Sequence, residues 1–174
     1  MPPMPSTERD DVLEQFEYHH WATDRVLEVA AALTAAQLDK EWGGSFGSGR
    51  GLLRHVIGVE RLWLERWNGR SMKGLPEFAL TWSGRDFLNE WKKIAAEQGE
   101  YLSELSRDML LGELTYTNIK GERLTYRLAE ILAHVVNHGT YHRGQITHLL
   151  RDCGVTAPST DFLVFVGERR KSQA

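Results

Sequence analysis

Apolar positions recur at helical spacing over most of the chain and alternate over one short stretch. Ser6 or Thr7 opens the first helical pattern, with Glu8, Asp10 and Asp11 in the turn where the helix dipole favours acids. Val12, Phe16, Thr23, Leu27 and Ala30 then mark one face to about Leu33. Thr34–Gln37 reads as a capping box for a further turn or two. "GGSFGSG" breaks the pattern, and a second helix is expected from about Gly51 to Trp67. A loop with Gly74 and Pro76 leads to a third, from about Gly84 to Ser106, weakened at Gly99 by roughly 1 kcal/mol relative to alanine.

The alternating stretch is "ELTYTNIKGERLTYR". Leu114, Tyr116, Leu124 and Tyr126 alternate with polar residues around "NIKG", which predicts a two-stranded hairpin. A fourth long helix follows from about Tyr126 to Asp152, with Gly154 placed to cap it. Pro158 precedes a short apolar tail, "DFLVFV", and the basic end "GERRKSQA" reads as frayed and solvated. Four long helices joined by moderate connections predict an all-α four-helix bundle with a small hairpin before its last helix. One domain should span residues 1–174, with 1–6 and 168–174 frayed.

Charge and composition narrow the function. A net charge of −3 gives no electrostatic footprint for nucleic acid. No uncharged apolar run is long enough for a membrane span, and the N-terminal "MPPMPSTERDD" lacks the features of a signal peptide. The single cysteine, Cys153, excludes an intramolecular disulfide and a thiolate-rich metal cluster, and fits a reducing cytoplasm.

The histidines carry the chemistry. "HVVNHGTYHRGQITH" holds four of the seven, at positions 134, 138, 142 and 148. On a helical wheel, Leu128, Ile131, Val135, Ile146 and Leu149 define the buried stripe. His142 falls about 20° from its centre, His138 about 60° and His134 about 100°, with His148 on the far flank. An i,i+4 pair of imidazoles, His138 and His142, can reach a single ion. His55 shares an apolar stripe with Leu52, Val56, Val59 and Trp63 on the second helix and supplies a third ligand. His20, inward on the first helix beside Phe16 and Leu27, is the rival third ligand or a supporting partner. His134 reads as a surface or supporting residue, Tyr141 as a packing residue, and Cys153 as inert. Arg143 and Gln145 read as structural. Gly139 and Gly144 together cost the helix roughly 2 kcal/mol relative to alanine, which close approach of a neighbouring backbone would explain.

"HVVNHGTYHRGQITHLLRDCGV" with Pro158 and Asp161, "HWATDRVL" and "LLRHVIGVERLW" together resemble the DinB/YfiT-like metalloenzyme family across nearly the whole chain. The resemblance implies an up-down-down-up bundle, usually dimeric, with a divalent metal on three histidines, here His55, His138 and His142. His20 stands where relatives often carry Asn, which raises the question of a fourth protein ligand. Zinc and nickel both suit imidazole. Enzymes of the wider fold use low-molecular-weight thiols such as mycothiol or bacillithiol. The resemblance therefore implies a thiol transferase or isomerase acting on a small-molecule substrate. A hydrolase and a non-catalytic metal-binding stress protein are the alternatives. No catalytic base stands out.

Overall fold

The computed structural model describes residues 8–42, 44–70, 72 and 80–172. The proposed helix cap at Ser6 or Thr7 and the loop with Gly74 and Pro76 lie outside them. Among the described residues, seven α-helices and one hairpin follow in order, with a 3-10 turn at Gly44–Phe46: α1 Glu8–Ala30, α2 Ala35–Asp39, α3 Gly49–Trp67, α4 Gly84–Ser103, α5 Arg107–Leu111, β1 Glu113–Thr117, β2 Arg123–Arg127, α6 Leu128–Asp152 and α7 Phe162–Ser172. The four long helices form the bundle. α1 packs on α4 and α6, and α3 packs on the same two, so α1 and α3 face each other across its diagonal.

Local chemistry sets the boundaries. Thr34 and Gln37 close the capping box of α2 in both directions, at 3.2 and 2.9 Å. Ser48 caps α3 through the Gly51 amide, and Ser83 with Asp86 forms a second capping box at α4. α6 ends as expected: Gly154 takes the left-handed conformation at φ 75°, and the Val155 amide closes on the Leu150 carbonyl at 2.9 Å. The hairpin keeps the expected side-chain pattern, with Leu114 opposite Tyr126 and Tyr116 opposite Leu124. Asn118 Oδ1 accepts from the Lys120 and Glu122 amides to hold its turn.

The core is a continuous apolar cluster drawn from all four long helices, with Phe16, Leu52, Ile57, Trp91, Leu132 and Ile146 among its most buried members. The basic end corrects the sequence reading. Instead of fraying, the segment after Pro158 forms α7 and clamps onto α1. Phe165 is buried against Tyr18 and Trp21, Glu168 accepts from Trp21 Nε1 and Arg25, and Arg169 pairs with Glu14 and Glu17. Charges on α1 make the difference, because Glu14 and Glu17 pair with Arg169 and Arg25 pairs with Glu168.

Candidate metal centre

α3 and α6 are neighbours, and each contributes imidazoles to their shared seam. His142 Nε2 lies 3.2 Å from His55 Nε2 and 3.0 Å from His138 Nε2. All three ligand atoms lie within 4.8 Å of one another. A tetrahedral zinc with bonds of about 2.0–2.1 Å would separate its nitrogens by about 3.3 Å, so the cluster is near the spacing one ion needs. The ring of Phe46 packs on His55 at 4.6 Å and against His142 at 5.6 Å, an apolar wall on one side.

The protonation pattern also fits a cation. Gln145 Oε1 lies 2.7 Å from His142 Nδ1. A carbonyl oxygen can only accept, so Nδ1 carries the proton and Nε2 is left with its lone pair. Burial first, then the neighbouring His142, pushes His55 and His138 down to about 4. Burial lowers His142 as well. Near neutral pH these are uncharged bases, the state a metal requires.

The remaining sequence candidates fall elsewhere. His20 is not part of the cluster: its Nε2 donates to Gln98 Oε1 at 2.8 Å, and its ring packs on Phe16 and Trp91. His134 is exposed, with its ring 5.8 Å from that of His138 and 5.4 Å from Trp63. His148 is exposed near Asp152 and Trp42. Tyr141 is 67% exposed, with its ring 5.0 Å from His142. Cys153 is a half-buried free thiol.

A buried polar network behind the cluster was not anticipated. Arg143, 2% exposed, donates to His19 Nδ1 at 2.9 Å and to Thr23 and Thr140. A guanidinium cannot accept, so the His19 proton sits on Nε2, which lies 3.1 Å from Glu60 Oε1. Glu60 Oε2 accepts from Gln98 Nε2 at 2.9 Å. Burial would raise the Glu60 carboxyl, but His19 and Gln98 beside it hold it below the usual carboxylate range. The sequence carried a signal for this network. Glu60 interrupts the stripe Leu53, Val56, Ile57, Leu64, and Arg143 interrupts Val136, Ile146, Leu150, so opposite charges occupy two apolar faces.

The glycines of α6 need separate accounts. A Cβ on Gly139 would stand 2.3 Å from His19 Cε1, so a buried imidazole, not a neighbouring backbone, requires this glycine. A Cβ on Gly144 would meet nothing within 4 Å.

The whole chain has relatives. It is 27% identical over 162 residues to Protein DinB of Bacillus subtilis strain 168, covering 90% of this chain and 94% of that protein. It is 25% identical to YizA of the same organism, covering 87% and 94%. The fold matches the crystal structure of a DinB-like protein from Bacillus cereus ATCC 10987 with a TM-score of 0.67 at 23% identity, covering 85% of this chain and 94% of that one. The DinB family model matches residues 4–171, a span that includes all four bundle helices and all three clustered histidines, and the chain belongs to the DinB family.

Proposed function

We propose that the chain is a metal-dependent enzyme that holds one divalent ion, zinc or nickel, on His55, His138 and His142 and uses it to activate a low-molecular-weight thiol for transfer or isomerisation. The observation that carries the reading is the convergence of three uncharged Nε2 atoms on one point, one of them fixed by Gln145. A bound ion supplies Lewis acidity, which favours the thiolate form of a coordinated thiol. Gln145 orients the His142 ring, and Phe46 keeps water from one side of the cluster. With His20 engaged by Gln98, three clustered histidines are left as ligands among the described residues, which favours an exchangeable position over a closed structural site. That observation supports the enzyme readings, hydrolase included, over a purely structural ion. Cys153, the chain's single thiol, caps α6 eleven residues beyond His142, so this reading takes its thiol from an external molecule.

Metal content by mass spectrometry provides the first test. His55→Ala, His138→Ala and His142→Ala should each lose most of the metal, and His148→Ala should keep it. Gln145→Ala, which leaves all three ligands, should weaken affinity about 10–100-fold. Full occupancy in a His138→Ala, His142→Ala double variant would end the reading. X-ray absorption on the metal-loaded chain with an added thiol should then show a metal–sulfur distance. No such distance across a panel of physiological thiols, together with no turnover, would move the hydrolase ahead. We also propose a cytoplasmic homodimer, in line with the family resemblance, and a monomeric mass by light scattering at micromolar concentration would reject it.

A further inference from the structure

Beside the histidine cluster lies a cavity of about 510 Å³, within the range of small-ligand sites, lined by Trp63, Tyr116, Tyr126, Glu130, Ile131 and His134. Tyr116 and Tyr126 come from the two strands of the hairpin. Their rings lie within 29° of parallel at 6.4 Å, and Trp63 meets Tyr116 nearly perpendicularly at 5.2 Å. The three rings make a corner of aromatic surface. No phenol hydroxyl of Tyr116 or Tyr126 and no nitrogen of His134 has a hydrogen-bond partner among the described residues, so polar groups at the cavity remain available to a ligand. The His134 ring of this lining lies 5.8 Å from the ring of His138, one of the three clustered histidines.

An aromatic corner can accept a cation or a flat ring, and the charges nearby decide between them. The Arg66 guanidinium lies 4.6 Å over Trp63 and 4.3 Å over Tyr116, so the cation sites of both rings are already engaged. Arg66 is 6% exposed, its Nε has no hydrogen-bond partner among the described residues, and its Nη2 reaches the Thr117 carbonyl only at 3.5 Å. The one acid of the cavity lining, Glu130, is held by Arg127 at 2.7 Å. Arg66, with no carboxylate partner among the described residues, therefore sets a positive charge behind the aromatic wall, and Glu130 is already paired with Arg127. The slightly larger groove of about 540 Å³ between α1 and α6 is lined by Phe16 and Tyr18 with the acids Glu8 and Asp11, and its α6 wall, Ala129, Leu132, Ala133 and Val136, lies across that helix from His138.

We propose that the cavity walled by Trp63, Tyr116 and Tyr126 is a binding site for a flat aromatic molecule carrying negative charge, seated one imidazole away from the metal centre. It names the substrate class of the enzyme proposed above, and it rests on that reading only for the position of the ion. The test titrates the full chain, metal-free and then cobalt-loaded, with two probes of the same shape and opposite charge, 4-fluorobenzoate and 4-fluorophenyltrimethylammonium, followed by fluorine NMR. The benzoate resonance should broaden with the metal-free protein. Tyr126→Ala, a change at a side chain 46% exposed, should weaken that binding about tenfold, the worth of a ring stack. Paramagnetic cobalt should broaden the bound resonance further. Equal or tighter binding of the ammonium probe overturns the charge assignment. Absence of binding by the metal-free chain, or binding indifferent to Tyr126→Ala, overturns the site. A chain that takes up no cobalt rejects the metal reading alone, because the metal-free titration still decides the cavity.

Discussion

Gly139 and Gly144 are five residues apart on one helix, yet they should respond oppositely to the same change. At Gly139, alanine would drive a methyl into the fully buried His19 ring, which Arg143 holds in place. That overpacking costs about 1–3 kcal/mol and exceeds the gain of roughly 1 kcal/mol in helix propensity. At Gly144 the space is open, so alanine should stabilise by about 0.5–1 kcal/mol. Urea denaturation of Gly139→Ala and Gly144→Ala separates them, and a stabilised Gly139→Ala would show that the His19 ring yields. This contrast could not be read from the sequence, because propensity treats both glycines alike and the neighbour that distinguishes them lies 120 residues away on α1. The wheel did place His138 and His142 correctly relative to the seam, since that depends only on the helix's own period. It set His20 inward on α1, while the fully buried histidine there is His19. The two adjacent rings both reach the interior, His20 less deeply.

At the scale of elements, the seam between α3 and α6 carries a pH signature. His55 and His138 sit near 4 in the folded metal-free chain, against about 6.5 when unfolded, and His142 and His20 are lowered in the same direction. Between those values the unfolded chain binds more protons, so stability rises with pH across the window and is lost as pH falls from about 6.5 toward 4. The carboxylates with lowered values, Glu60 among them, act below about 4.5, which leaves the upper window to the histidines. Urea midpoints of the metal-free protein should therefore drop from pH 7 to pH 5. His138→Gln should flatten that drop by removing one of the groups. An unchanged midpoint across the window would contradict the burial of these rings. Elements themselves were well marked in the sequence where local chemistry defines them: the capping box at Thr34, the hairpin around Asn118, and the Gly154 stop. α7 was not, because its partners Glu14, Glu17, Tyr18 and Trp21 belong to another helix.

Across the whole molecule, one polar chain joins the four long helices: Arg143 on α6, His19 and His20 on α1, Glu60 on α3 and Gln98 on α4. A guanidinium and a carboxylate share one imidazole between them in an otherwise apolar core. His19 and Gln98 stabilise the carboxylate, while the guanidinium is held by His19, Thr23 and Thr140 and favoured by the charge of Glu60 beyond the imidazole. Glu60→Gln keeps the shape and removes the negative charge, leaving Arg143 buried and uncompensated. Loss of one partner from a buried pair costs about 3–5 kcal/mol. For a chain of this size each kcal/mol lowers the Tm by about 2–4 °C, so a fall of about 10 °C is expected. The second charge should be dispensable once the first is gone: adding Arg143→Met to Glu60→Gln should recover part of the loss, because an apolar side chain of similar length needs no counter-charge there. Calorimetry on the metal-free proteins, where changes in metal affinity cannot contribute, reads both effects. If Glu60→Gln melts within a degree or two of the parent, the network is a passive filling of the core. If the double variant is no better than the single, the loss lies in the hydrogen bonds of Arg143 to Thr23 and Thr140, and the charge balance across the bundle is not what holds its helices in register.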